Sequence, residues 1–152
     1  MYDTRLLVDE AILPYSIDVD QKHNLVIVKF WGLLDASGFE EELTAVDGMG
    51  PFGEHYRALQ IYHEHAQYTV SADLLREAAR QRSVGKSPKQ LPLHPKGKRV
   101  TVAPTDIIFG LNRLLAAELC GSGAEYTIVR TIAEAASELG MEVVDIDASF
   151  PV

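Results

Sequence analysis

Histidine side chains cluster where chemistry could occur. His63 and His65 flank Glu64, and His55 lies shortly upstream. Alternate residues of an extended segment point the same way, so the two imidazoles could face one metal ion. No third ligand stands at a diagnostic spacing, so no metal site and no cofactor is expected. The segment reads instead as a polar loop at a strand end that could line a pocket. Tyr68 and Ser71 continue it. Thr105, Asp106 and Phe109 open a helix after a later strand. Open α/β sheets bind ligands beyond the carboxyl ends of their strands. His63, His65, Tyr68, Ser71, Thr105, Asp106 and Phe109 are therefore the candidate binding residues.

A second cluster is cationic. Arg80, Arg82, Lys86, Lys89 and Lys96 lead into Lys98 and Arg99, with no Asp or Glu between Glu77 and Asp106. Such a stretch could attract an acidic partner, a phosphate or an anionic membrane surface. Aromatics for base stacking are missing from it. The whole chain carries a formal net charge of −8, which opposes nucleic-acid binding.

Other motifs carry less. Gly48-Met49-Gly50-Pro51-Phe52-Gly53 matches G-x-G-x-x-G. A dinucleotide site needs that motif after a strand and opening a helix, whereas here it follows a helical pattern and precedes a strand. Pro51 also removes an amide donor. Cys120 is the sole cysteine, so no internal disulfide forms, and its place late on an apolar helix suits a small core residue. No nucleophile–base pair or carboxylate pair stands out, so a non-enzymatic role is expected.

The elements that must position these groups follow from periodicity. Tyr15–Asp20 alternates apolar and polar residues, and Leu25–Trp31 is almost continuously apolar, with a turn at 21–24. They read as an antiparallel hairpin. Ser37 and Glu40 fit a capping box before a helix. Tyr56–Tyr62 is a strand, and Ser71-Ala72-Asp73 opens a helix with Ser71 at its N-cap. Residues 83–97, with Pro88, Pro92 and Pro95, read as an exposed loop.

From Lys98 the chain alternates strand, helix, strand, helix. Lys98–Ala103 is β-rich, and a helix follows to Cys120-Gly121. Its apolar stripe is expected to hold Ile107, Ile108, Leu111, Leu114, Leu115 and Leu119. Glu125–Val129 is the next strand. Thr131 and Glu134 form a capping box for a helix closed by Gly140. The predicted fold is α/β: a mixed sheet of about five strands, an N-terminal hairpin followed by β-α units, with helices packed on the sheet. The chain of 152 residues is expected to be one domain. Its core spans about 15–140, with 1–14 and 141–152 as terminal extensions. Val143, Val144 and Ile146 could form a short strand or a packed extended tail.

The run Gly97-Lys98-Arg99-Val100-Thr101-Val102-Ala103-Pro104-Thr105-Asp106-Ile107-Ile108-Phe109-Gly110-Leu111, with Glu125–Arg130 and the Glu134-Ala135 helix, resembles the STAS fold of anti-sigma-factor antagonists. The closer likeness is to the SpoIIAA-like small bacterial proteins grouped with it. It covers roughly Tyr15 to Gly140. True antagonists place a phosphorylatable Ser in an Asp-Ser-Ser-Gly-type turn. Here the corresponding region is His63–Ala72, where only Ser71 stands at a comparable helix start. The resemblance implies a non-catalytic binding or regulatory module with an unknown protein partner. The alternative is a small apolar-ligand or lipid-binding protein, similar in outline to CRAL-TRIO domains. Homodimerisation stays open. With no signal-peptide pattern and no apolar run near the roughly 20 residues of a membrane span, a cytoplasmic location is expected.

Overall fold

The structure, a computed structural model, describes residues 15–35, 55–69, 71, 73, 77, 98–119 and 125–150. Strands β1 (Tyr15–Asp20) and β2 (Leu25–Phe30) form the hairpin. The turn between them closes where Asn24 takes φ 51°, a left-handed conformation that Asn tolerates. In the same turn Asp20 accepts hydrogen bonds from the His23 amide at 3.2 Å and pairs with its ring Nδ1 at 2.7 Å.

Short β3 (Leu33–Leu34) pairs in parallel with β5 (Gln67–Tyr68), forming a separate two-stranded ladder. The main sheet adds β4 (Arg57–Tyr62), β6 (Lys98–Val102) and β7 (Glu125–Val129). Its order is β1-β2-β4-β6-β7, with β1 antiparallel to β2 and all later pairs parallel. Helix α1 (Asp106–Leu119) joins β6 to β7, and α2 (Ile132–Leu139) follows β7.

Strand β2 is buried along its whole length, as an inner strand covered on both faces must be. Side-chain alternation divides the core in two. On one face Leu25, Ile27, Leu59, Ile61, Val100, Val102 and Val129 pack under Ala135, Ala136 and Leu139 of α2. On the other, Val26, Val28, Phe30, Tyr62 and Ala103 meet Ile108 of α1.

Helix α1 differs from the expected stripe at its start. Ile108 is buried, but Ile107 is 71 % exposed. Successive helical residues are 100° apart, so the two cannot share one narrow face. The stripe is centred on Ile108, with Leu111 packed against the same cluster and Asn112 buried beside it. Asn112 is buried with its amide donating to the Ile108 carbonyl at 2.9 Å. That local bond satisfies a group that would otherwise be costly to bury.

Helix α2 begins as its sequence requires. The Glu134 amide donates to Thr131 Oγ1, and Glu134 Oε1 accepts from the Thr131 amide, completing the capping box. Gly140 closes the helix at φ 66°, where a Cβ would be strained. Beyond it a short 3-10 turn (Val143–Asp145) leads into an extended tail. Ile146 is buried in the α2-side core, and Met141, Ala148 and Phe150 pack against that cluster. The core therefore runs past Gly140, because this segment lies back across the sheet. The Ser37–Glu40 box, the Gly48–Gly53 motif, the Arg80–Lys96 cluster, Cys120 and most of the helix after Ser71 lie outside the described residues.

Candidate functional site

An open cleft of about 310 Å³ lies at the carboxyl ends of β4, β6 and β7. Its floor is the top of the core: Ile61 and Val102, with Ile132 from the first turn of α2. Its walls are Pro104 after β6, Ala148 and Phe150 from the tail, and the polar group His63, Glu64, Arg130 and Thr131. Parallel strands deliver their last residues to one edge, which is why residues distant in sequence meet here.

His63 follows β4 directly. Its amide donates to the Phe30 carbonyl at 2.7 Å, extending the β2–β4 ladder. Its ring Nδ1 accepts from the His65 amide at 3.0 Å, so in the neutral ring the proton sits on Nε2. The two imidazoles lie 5.2 Å apart between centroids. His65 turns outward and meets Glu64 at 3.6 Å, with both side chains largely exposed. A pair of that kind is worth little. Among the described residues no group of His, Cys, Asp and Glu side chains could hold a metal ion.

The candidates on the next strand end serve a residue that the sequence reading did not select. Arg130 follows β7, and its guanidinium lies 4.1 Å from the centroid of the Phe109 ring. It pairs with Asp106 at 2.9 Å, and its other arm reaches the Pro104 carbonyl at 3.5 Å. Asp106 and Phe109 thus hold Arg130 from two sides, by charge and by cation–π attraction. Thr105 works one step further back, its Oγ1 accepting from the Ile108 amide at 3.4 Å at the start of α1. The signal for Arg130 was positional: it is the first residue beyond a parallel strand.

His63 and Arg130 line the cleft, and Asp106 and Phe109 position Arg130. His65 stands beside His63 outside the lining. Tyr68 belongs to β5, and Ser71 is exposed beyond it, two residues before helical Asp73.

The tail forms the remaining wall. Phe150 meets His63 edge-on at 4.9 Å and Trp31 at 6.4 Å. Lys29, only 6 % exposed on β2, donates to the Ser149 carbonyl at 2.7 Å and lies 3.6 Å from Asp147. Asp147 in turn accepts from the Ser149 hydroxyl at 2.6 Å and amide at 3.1 Å. Those hydrogen bonds, with the Lys29 charge behind them, hold the Asp147 carboxyl below the ordinary aspartate value of 3.8. A carboxyl lowered on folding stabilises fully above its unfolded value and loses that effect as pH falls through the folded one. The fluorescence of Trp31, the sole tryptophan, should therefore stay constant down to pH 3.8 and change below it as Phe150 is released. Asp147→Asn should show the change already at neutral pH. A signal flat through the acid range, and equal in the variant, would contradict this tail staple.

Comparison with protein-family models, with curated proteins and with solved structures finds no match to this chain. No helix among the described residues is long and apolar enough to cross a membrane.

Proposed function

We propose that the chain is a non-catalytic binding or regulatory module, STAS-like in arrangement, whose site is the cleft at the carboxyl edge of its parallel strands. One observation carries this reading: separate strand ends and the tail converge on a single cleft with an apolar floor and a positioned Arg130. Two of the polar groups there are already committed within the fold. Thr131 Oγ1 serves the helix cap, and His63 Nδ1 serves the His65 amide. That arrangement suits recognition better than proton transfer.

The apolar floor of Ile61, Val102 and Ile132 also favours a second reading, a small apolar-ligand or lipid-binding protein. At about 310 Å³ the cleft stands at the small end of ligand pockets, roughly 300–1,000 Å³. A short ligand or one inserted side chain fits it better than a long acyl chain.

Affinity capture from the native cell, with mass spectrometry of bound proteins and lipids, would supply the partner. Hydrogen exchange of the complex then tests the site. Protection is expected at 63–64, 130–132 and 148–150. Protection confined to β1 or to the exposed face of α1 would overturn the assignment, and co-purified lipid in native mass spectra would move it to the second reading.

A further inference from the structure

The geometry points to a specific chemistry for this cleft: it takes a monoanionic carboxylate carried on a short apolar body. This inference rests on the cleft being the binding site. Among the described residues Arg130 is the only Lys or Arg lining the cleft, and it is preorganised. The guanidinium carbon sits 4.1 Å from the Phe109 ring centroid, and one nitrogen reaches the Pro104 carbonyl. A guanidinium is a planar fork that matches a carboxylate in two parallel hydrogen bonds.

The present partner of that fork is easily exchanged. Asp106 is 96 % exposed, whereas the Arg130 side chain is 41 % exposed. Returning Asp106 to water costs little, because an exposed ion pair contributes little. A ligand carboxylate seated deeper, over Ile61 and Val102, would meet the guanidinium with less solvent screening. Asp106 thus acts as a placeholder for the ligand's charge.

The sign and size of that charge follow from the neighbours. Glu64 lines the same cleft, and Asp106 stands at its rim. Against one guanidinium these two carboxylates already leave the rim net negative, so a second charge on the ligand is opposed and a monoanion is preferred to a phosphate dianion. His63 Nδ1 is occupied by the His65 amide, so the ring can offer the cleft only its Nε2 side, as a donor. The two amides just ahead of α2 are already taken, since Glu134 Oε1 accepts from the Arg130 and Thr131 amides. The apolar floor, closed by Ile132 and Phe150, accommodates a ring or short branched chain.

Amide chemical-shift titration of the whole chain with benzoate, benzamide and inorganic phosphate tests this. Benzoate should shift residues 63, 130–132, 148 and 150 saturably. Benzamide, its uncharged counterpart, should bind about tenfold more weakly, the loss expected for one charge-assisted contact. Phosphate should be weaker than benzoate. Arg130→Gln should reduce benzoate affinity about tenfold or more at an unchanged unfolding midpoint. If that variant unfolds, Asp106→Asn decides, because freeing the fork should tighten benzoate binding several-fold. Equal binding of benzoate and benzamide, preference for phosphate, or no gain in Asp106→Asn overturns the inference. So does the absence of any saturable benzoate shift. In each of those cases the cleft assignment still stands if a captured partner protects it from exchange, and falls separately if the partner protects another face.

Discussion

Truncating Phe30 to Ala should lower the free energy of unfolding by about 3–5 kcal/mol, the range for emptying a buried aromatic site. Phe30 is 3 % exposed at the end of β2. Its ring stacks on Tyr62 at 4.6 Å and 12°, and Tyr15 of the neighbouring strand lies 6.5 Å away. Three adjacent strands therefore converge on it, and little can relax to fill the void. Its carbonyl also accepts from the His63 amide, so the loss should loosen the rim of the cleft. Urea denaturation measures the first effect. A cost below about 1 kcal/mol would mean that this end of the sheet is not packed as described.

Ile146→Ala is the second large effect, about 2–5 kcal/mol. Ile146 is 6 % exposed and belongs to the same cluster as Leu25, Leu59, Val100 and Leu139. It also anchors the tail that carries Ala148 and Phe150 into the cleft wall. The variant should therefore lose stability and at the same time shift Trp31 fluorescence, because Phe150 packs on Trp31. An unchanged denaturation midpoint would place the edge of the core at Gly140, where helical periodicity ends.

Much of this architecture was legible before any coordinates. The strands announced themselves by period-two alternation at the β1 edge and by unbroken apolar runs inside, since burial on one face or two imposes those patterns. Thr131, Glu134 and Gly140 specified α2, because capping is a local matter of side-chain oxygen, amide and left-handed backbone. What depended on tertiary contact was not legible. Ile107 and Asn112 have ordinary helical spacing, and only the sheet beneath decides which turns inward. The β3–β5 ladder is too short for any period to register. The tail lacks periodicity, since Ile146, Ala148 and Phe150 are placed by the sheet and by Lys29 reaching the Ser149 carbonyl. Of the candidate site, His63, Asp106 and Phe109 were found by their position at strand and helix ends. Arg130 obeys the same rule, but a lone arginine beside a helix cap carries no motif. Its meaning comes from Phe109 and Asp106, which lie a helix and a strand away in sequence.

The cleft itself can be closed without touching its polar groups. Ala148 is a small, partly buried residue of the tail wall, and Ala148→Trp adds bulk on the cleft side without replacing Arg130, Asp106 or His63. The decisive measurement is the affinity of the captured partner for the wild-type chain and for Ala148→Trp, with unfolding midpoints recorded for both. A fall of about tenfold or more at an unchanged midpoint is expected, the effect of blocking a central contact. Equal affinity for the two proteins would show that binding takes place elsewhere on the molecule.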